Sequence, residues 1–201
     1  NEPYSQDALK KFKDGSDPDH YANSDWLGTL LSENGLFHNH HLSIKGGSDK
    51  ITYSLAINYH DKDGLIENTN YNKFNVRANL ETYINKRLKV TTNMAVYRSG
   101  MTAPAEGIDN LKHYAFRETP LTPIQFKNGN YALFKNEHNS VASARNGGTN
   151  KQINNNFQGS LGMDLDIIDG LKLRGIAATT FNLLDNPTHL YTQSFYTADS
   201  D

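Results

Sequence analysis

The stretch "FHNHHLSIKGGSDKITYSLAINYHDKDGLIENTNY", residues 37–71, holds three of the chain's eight histidines within four positions: His38, His40 and His41. Imidazoles this close raise the question of a metal ion. In a strand, residues two apart share a face, so His38 and His40 stand together and His41 points away. A zinc centre needs a further protein ligand nearby, but Ile44 and Lys45 follow instead. The helical H-E-x-x-H arrangement is also absent. The histidines therefore read as strand residues, and no metal and no cofactor are expected.

The other reactive groups fare similarly. Asp164 and Asp166 would share a strand face, as a carboxylate pair for glycoside hydrolysis must, but the same face of a solvated sheet accounts for them. "GSLG" at 159–162 lies inside an alternating segment and forms no G-x-S-x-G elbow. "GGS" at 46–48 is followed by neither a helix nor G-K-S, so it reads as a turn rather than a phosphate loop. No catalytic residue is expected, and the chain reads as something other than an enzyme.

The elements around these groups carry more information. Residues 37–182 repeat a period of two. In "ITYSLAINYH", Ile51, Tyr53, Leu55, Ile57 and Tyr59 oppose Thr52, Ser54, Ala56, Asn58 and His60. "FNVRANLETYI" (74–84) sets Phe74, Val76, Ala78 and Leu80 against Asn75, Arg77, Asn79 and Glu81. "LKVTTNMAVY" (88–97) and "FQGSLGMDLDI" (157–167) follow suit, putting Lys89, Asp164 and Asp166 on the polar side. "LKLRGIAATTF" (171–181) and "HLSIKG" (41–46) complete about six strands. Short turns at 46–50, 85–87 and 169–170 alternate with long connections at 61–72 and 99–151.

Short turns on one side and long loops on the other, with strands of about 10 to 13 residues, fit a membrane barrel. The expected fold is all-β: antiparallel up-and-down strands forming part of a large transmembrane β-barrel. Residues 1–36 read as a loop and helical segment, with helices at 5–15 and 24–35. Residues 105–116 read as a helix in the long extracellular loop, and residues 183–201 as the start of the next loop. The alternative is a soluble all-β carbohydrate-binding module with the Ile51, Leu55 and Ile57 face buried in a core.

Composition narrows the classes. The chain has 201 residues, no cysteine and a net charge of −2, which offers no basic footprint for nucleic acid. Mean hydropathy is −0.69, and no apolar run approaches the ~18 residues of a membrane-spanning helix. Polar sequence at both ends suggests a segment of a longer protein.

In order along the chain, "SDWLGTLL", "NHHLSIKGG", "GLIENT" and "FNVRANL" resemble the barrel of SusC/RagA-type TonB-dependent transporters of Bacteroidetes. Asp25, Trp26, Asn39, His40, Gly46, Gly47, Gly64, Asn68, Thr69, Phe74, Asn75, Arg77 and Asn79 occupy the motif positions. "YAFRETPLTPIQFKNGNYAL" and "NNNFQGSLGMDLDIIDGLKLR" continue the series, so the resemblance spans about 15–182. The stretch 136–152 departs from it. Such transporters have about 22 strands.

The resemblance implies import of oligosaccharides or peptides across a Gram-negative outer membrane, with a SusD-like surface lipoprotein and TonB as partners and outer-membrane lipid outside. It implies that Arg77, Asn79, Glu81, Lys89, Asp164 and Asp166 face the lumen or plug. Tyr114, Phe116 and Tyr131 would reach ligand from the long loop.

Overall fold

A computed structural model describes residues 4–134 and 138–198. The outermost parts of the expected end segments, 1–3 and 199–201, and positions 135–137 of the long loop lie outside the described residues. Six long strands form one open sheet: β1 (Phe37–Ser48), β2 (Ile51–Asp63), β3 (Asn70–Asn85), β4 (Leu88–Pro104), β5 (Gly148–Ile168) and β6 (Leu171–Asp185). Each pairs antiparallel with the next in chain order, giving an up-and-down meander. A short β7 (Thr188–Leu190) returns to pair with Gly148–Asn150.

The strands are longer than the periodicity suggested, at 12 to 21 residues. At ~3.3 Å per residue the longest reaches about 70 Å, against the ~9–11 residues that a tilted strand needs to cross a bilayer. The extra length lies at the loop end. It corrects two expected boundaries. The connection expected at 61–72 shrinks to 64–69, and the long loop expected at 99–151 shrinks to 105–147. Residues 183–185 and 188–190, expected as loop, are strand.

The turn end is tight. Asp49-Lys50, Lys86-Arg87 and Asp169-Gly170 are two-residue connections. Gly170 takes φ 85°, the left-handed conformation that glycine adopts without steric penalty. The Gly-Gly pair at 46–47 corrects the turn reading, because both residues lie inside β1. Gly46 faces Tyr53 across the strand pair, and a Cβ there would come within 2.5 Å of the tyrosine hydroxyl. The glycine leaves room for the ring, a cross-strand aromatic–glycine fit.

Among the described residues, none covers the sheet to form a core on it. Leu42, Ile44, Tyr53, Phe74, Leu80, Met94, Val96, Leu161, Phe181 and Leu183 are all exposed. The core lies at the loop end, where Trp26, Leu30, Ile66, Leu111, Ala115, Val141 and Ala144 cluster. They come from α2 (Trp26–Leu30), the β2–β3 connection, α3 (Ile108–Arg117) and α4 (Ser140–Asn146). The remaining helix, α1 (Gln6–Asp14), is capped by Ser5 and stopped by Gly15 at φ 65°. The helix expected over 24–35 is a single turn ending at Leu30; Leu31 goes extended and bridges to Ile66. Helix α4 had no counterpart in the periodicity, because five of its seven residues are buried and none forms an amphipathic stripe.

One motif residue ties the two parts together. Asn68 sits at φ 62°, and its Nδ2 donates to the Ala144 and Arg145 carbonyls at 2.9 and 3.0 Å. It caps the last turn of α4 from the β2–β3 connection, and Glu67 adds an ion pair to Arg145 at 2.8 Å. Asn68→Ala should loosen this joint by about 2 kcal/mol, from left-handed strain and the lost hydrogen bonds. Asn68→Gly, which tolerates the backbone, should cost less. Faster amide exchange in residues 141–147 of the alanine variant is the measurement.

Candidate functional site

Register decides which side chains meet. Across β2–β6 the pairing aligns Ala56, Arg77, Ala95, Gln158 and Thr180 in one row and Ser54, Asn79, Asn93, Ser160 and Ala178 in the next. Arg77, Asn79, Asn93, Gln158, Ser160 and Thr180 line a hollow of about 440 Å³ in the middle of this face. Asn79 Nδ2 donates to Ser54 Oγ at 3.0 Å, and Asn93 Nδ2 to Ser160 Oγ at 3.1 Å. Alanines between the long polar groups leave the hollow open. Its chemistry is amide, hydroxyl and one guanidinium, suited to hydrogen-bonding a hydrated solute and lacking a nucleophile–base pair.

Toward the turn end the same face becomes charged, in pairs. Lys89 Nζ reaches Glu81 at 2.8 Å, Arg174 Nε reaches Asp164 at 2.6 Å, and Lys172 Nζ reaches Asp166 at 3.2 Å. Asp164 and Asp166 share a face as expected, but each is held by its own cation on β6 rather than aimed at a common point. The six candidates Arg77, Asn79, Glu81, Lys89, Asp164 and Asp166 thus lie on one continuous face. Toward the loop end it continues through Asn58, Asn75, Tyr97, Asn156 and Asn182. There Lys73 Nζ lies 4.8 Å over the Tyr97 ring.

The opposite face is apolar. Leu55, Ala78, Met94 and Gly159 form one row; Ile57, Val76, Val96, Phe157 and Phe181 form another. Asp, Glu, Lys and Arg are absent from both rows. Phe157 and Phe181 pack at 6.3 Å between ring centroids. His38 and His40 lie on this side near the loop end, their rings stacked 6.3 Å apart, with His40 stacked on Tyr59 at 6.5 Å. His41, paired with Asn58, belongs to the polar face. The three imidazoles therefore sit on two sides of the sheet. A soluble module would need a second layer over the apolar side, and the described residues provide none.

The long-loop candidates split. Tyr114 stacks on His138 at 3.7 Å between centroids, and Tyr131 packs against the loop core. Phe116 alone of the three is strongly exposed, at 72%. Sequence reasoning passed over the loop's polar centre. Asn139, fully buried, caps α4 by accepting from Ala142 N at 2.9 Å and donates to the Ile124 and Ala132 carbonyls, both at 2.9 Å. Glu118, also buried, accepts from the Ser140 backbone N–H and hydroxyl. The Asn immediately before "SVASA" was the available N-cap signal; no local pattern marks Glu118.

No family model matches the chain. It is 28% identical over 159 residues to TonB-dependent receptor P26 of Formosa agariphila, a match covering 74% of this chain and 15% of that receptor. It is 29% identical over 73 residues to the TonB-dependent receptor SusC of Bacteroides thetaiotaomicron, covering 36% of this chain and 7% of SusC. The fold superposes on a structure of the RagAB peptide importer in its closed-closed state with a TM-score of 0.62 at 19% identity. That match covers 80% of this chain and 19% of the other. The chain thus spans less than a fifth of each of these proteins. Meander, two-residue turns, motif order and these likenesses together make the chain similar, in sequence and in fold, to a segment of the barrel of SusC-like TonB-dependent receptors.

Proposed function

We propose that the chain forms part of the wall of an outer-membrane importer. Its apolar face meets lipid, and its polar face lines the route of an oligosaccharide or peptide. The observation that carries this reading is the two-sidedness of an uncovered sheet. One side is apolar through its middle and exposed; the other is polar and holds an amide-lined hollow. Water-filled barrels require that arrangement, with apolar residues out and polar residues in. Arg77, Asn79 and Glu81 would touch solute or plug, and the Lys89, Asp164 and Asp166 pairs would face the plug near the turn end. The folded loop unit would meet a SusD-like surface lipoprotein at the outer mouth, and TonB would act through parts of the protein beyond this segment. Phe116 is the loop aromatic best placed to contact a ligand. The relatives are named as receptors and an importer, which supports a transport role without a chemical step.

Deleting the gene and growing the host on oligosaccharide pools and on peptide pools as sole carbon source tests the reading. Loss of growth on one class names the solute; unchanged growth and uptake on both would sink import. Within the hollow, Asn79→Ala combined with Asn93→Ala should weaken solute capture by up to about thirtyfold, at roughly 1 kcal/mol per neutral hydrogen bond. Abundance in the outer membrane should be unchanged, and uptake of labelled solute at limiting concentration measures the effect.

A further inference from the structure

His138 lies between two carboxylates. Its Nε2 is 3.0 Å from Glu106 Oε1 and its Nδ1 is 3.4 Å from Glu118 Oε1. Glu106 stands just before α3, and Glu118 is the C-cap of the same helix. The imidazole is stacked on Tyr114 in the middle of α3, and its side chain is 13% exposed. A neutral imidazole has one N–H donor and one bare nitrogen, whereas an ionised carboxylate only accepts. With an oxygen on each side, only the imidazolium satisfies both contacts. His138 is also bridged to Phe134, the two backbones exchanging hydrogen bonds.

We propose that His138 is a proton-operated clasp, pinning the start of the 138–140 segment of the long loop to both ends of α3 and freeing it when the ring loses its proton. Glu106, Tyr114 and Glu118 are the groups on α3 and its ends that face the ring. Ser140 on α4 reaches it only through Glu118. The nearby α3 cations are engaged elsewhere, Lys112 with Asp109 at 2.9 Å and Arg117 with His113 at 3.2 Å. On its open side the ring borders a groove of about 580 Å³ shared with Asn110, Ser143, Tyr191, Gln193 and Phe195, so release would remake a wall of that groove. The consequence for uptake rests on the import reading; the clasp does not.

The direction of the pH effect follows from the ring's environment. Burial works against the charge, but the bonds and charges of Glu118 and Glu106 outweigh it, so the pKa of His138 stands above its usual value. Protonation is then favoured by the folded loop. The stabilisation is complete below about 6.5, the unfolded value, and is lost as pH rises through the higher folded value.

Hydrogen exchange on the full-length receptor in detergent, expressed as protection factors at about pH 6 and about pH 9, tests the clasp. Protection in residues 106–118 and 138–140 should fall on the order of tenfold for each pH unit by which the folded value exceeds the unfolded one. His138→Gln should show low protection at both pH values. Glu106→Gln, which keeps the buried Glu118, should move the step to lower pH. A flat wild-type profile, or the same step in His138→Gln, would overturn the clasp. Because the readout does not involve transport, either result leaves the import reading to its own test.

Discussion

Met94→Arg should remove the receptor from the outer membrane. Met94 lies mid-strand on the apolar face, 47% exposed, between Ala78 and Gly159 in register. An arginine at the bilayer midplane costs about 2–4 kcal/mol, and the strand has no alternative register that returns the charge to the lumen without turning its neighbours outward. The control is Asn93→Arg, one residue away and on the polar face beside Ser160. A barrel should accept the second substitution and lose the first. Immunoblots of outer-membrane fractions, with heat-modifiable migration as the sign of folding, separate the two. Equal abundance of both variants would argue that this face does not meet lipid.

The second large effect is expected at Trp26. Its ring is 3% exposed within the loop core, and its Nε1 donates to the Thr119 carbonyl at 3.0 Å. Two further bonds run beside it between the N-terminal segment and the long loop: Ser24 N to Pro120 O at 2.8 Å, and Lys127 N to Asp19 Oδ1 at 3.0 Å. Trp26→Ala should destabilise this unit by about 3–5 kcal/mol, the usual range for emptying a buried aromatic site. Trp26→Phe should cost less, keeping most of the ring and losing the hydrogen bond. The damage should stay local, because the loop core packs on itself while the sheet is held by its own ladders. Rapid proteolysis within 105–147 with normal outer-membrane abundance is the expected outcome. Loss of the whole receptor would show that the loop unit is needed for assembly.

Both predictions draw on features that differ in how well they could be read from the chain. The strands were legible because a two-residue period separates Leu55 from Ser54 and Val76 from Arg77 without reference to anything distant. Their ends were not. Residues 61–63, 70–72 and 99–104 carry Asp, Asn, Lys, Ser and Gly, which read as loop. They are strand because neighbouring ladders extend them, and because paired amides such as Asn70, donating to Asp61 and Asp63 at 3.0 Å each, take the place of apolar packing. Gly46-Gly47 looked like a turn for the same reason: local propensity does not register that Tyr53 needs the space.

By itself the sequence determined the two-sided long strands, the shared polar face of Arg77, Asn79, Glu81, Lys89, Asp164 and Asp166, and the motif order that resembles SusC-like barrels. Alternation is a local property and survives without a partner. The tertiary structure alone decided what those residues touch. Pairing in register gives Glu81 to Lys89 and Asp164 to Arg174, and leaves the middle of the face to amides and Arg77. It also built the loop core from segments 26–31, 66, 108–115 and 141–144. It set His138 between carboxylates that stand 32 and 20 residues away in the chain. Contacts of that separation depend on chain closure and packing, for which a single strand's period carries no signal.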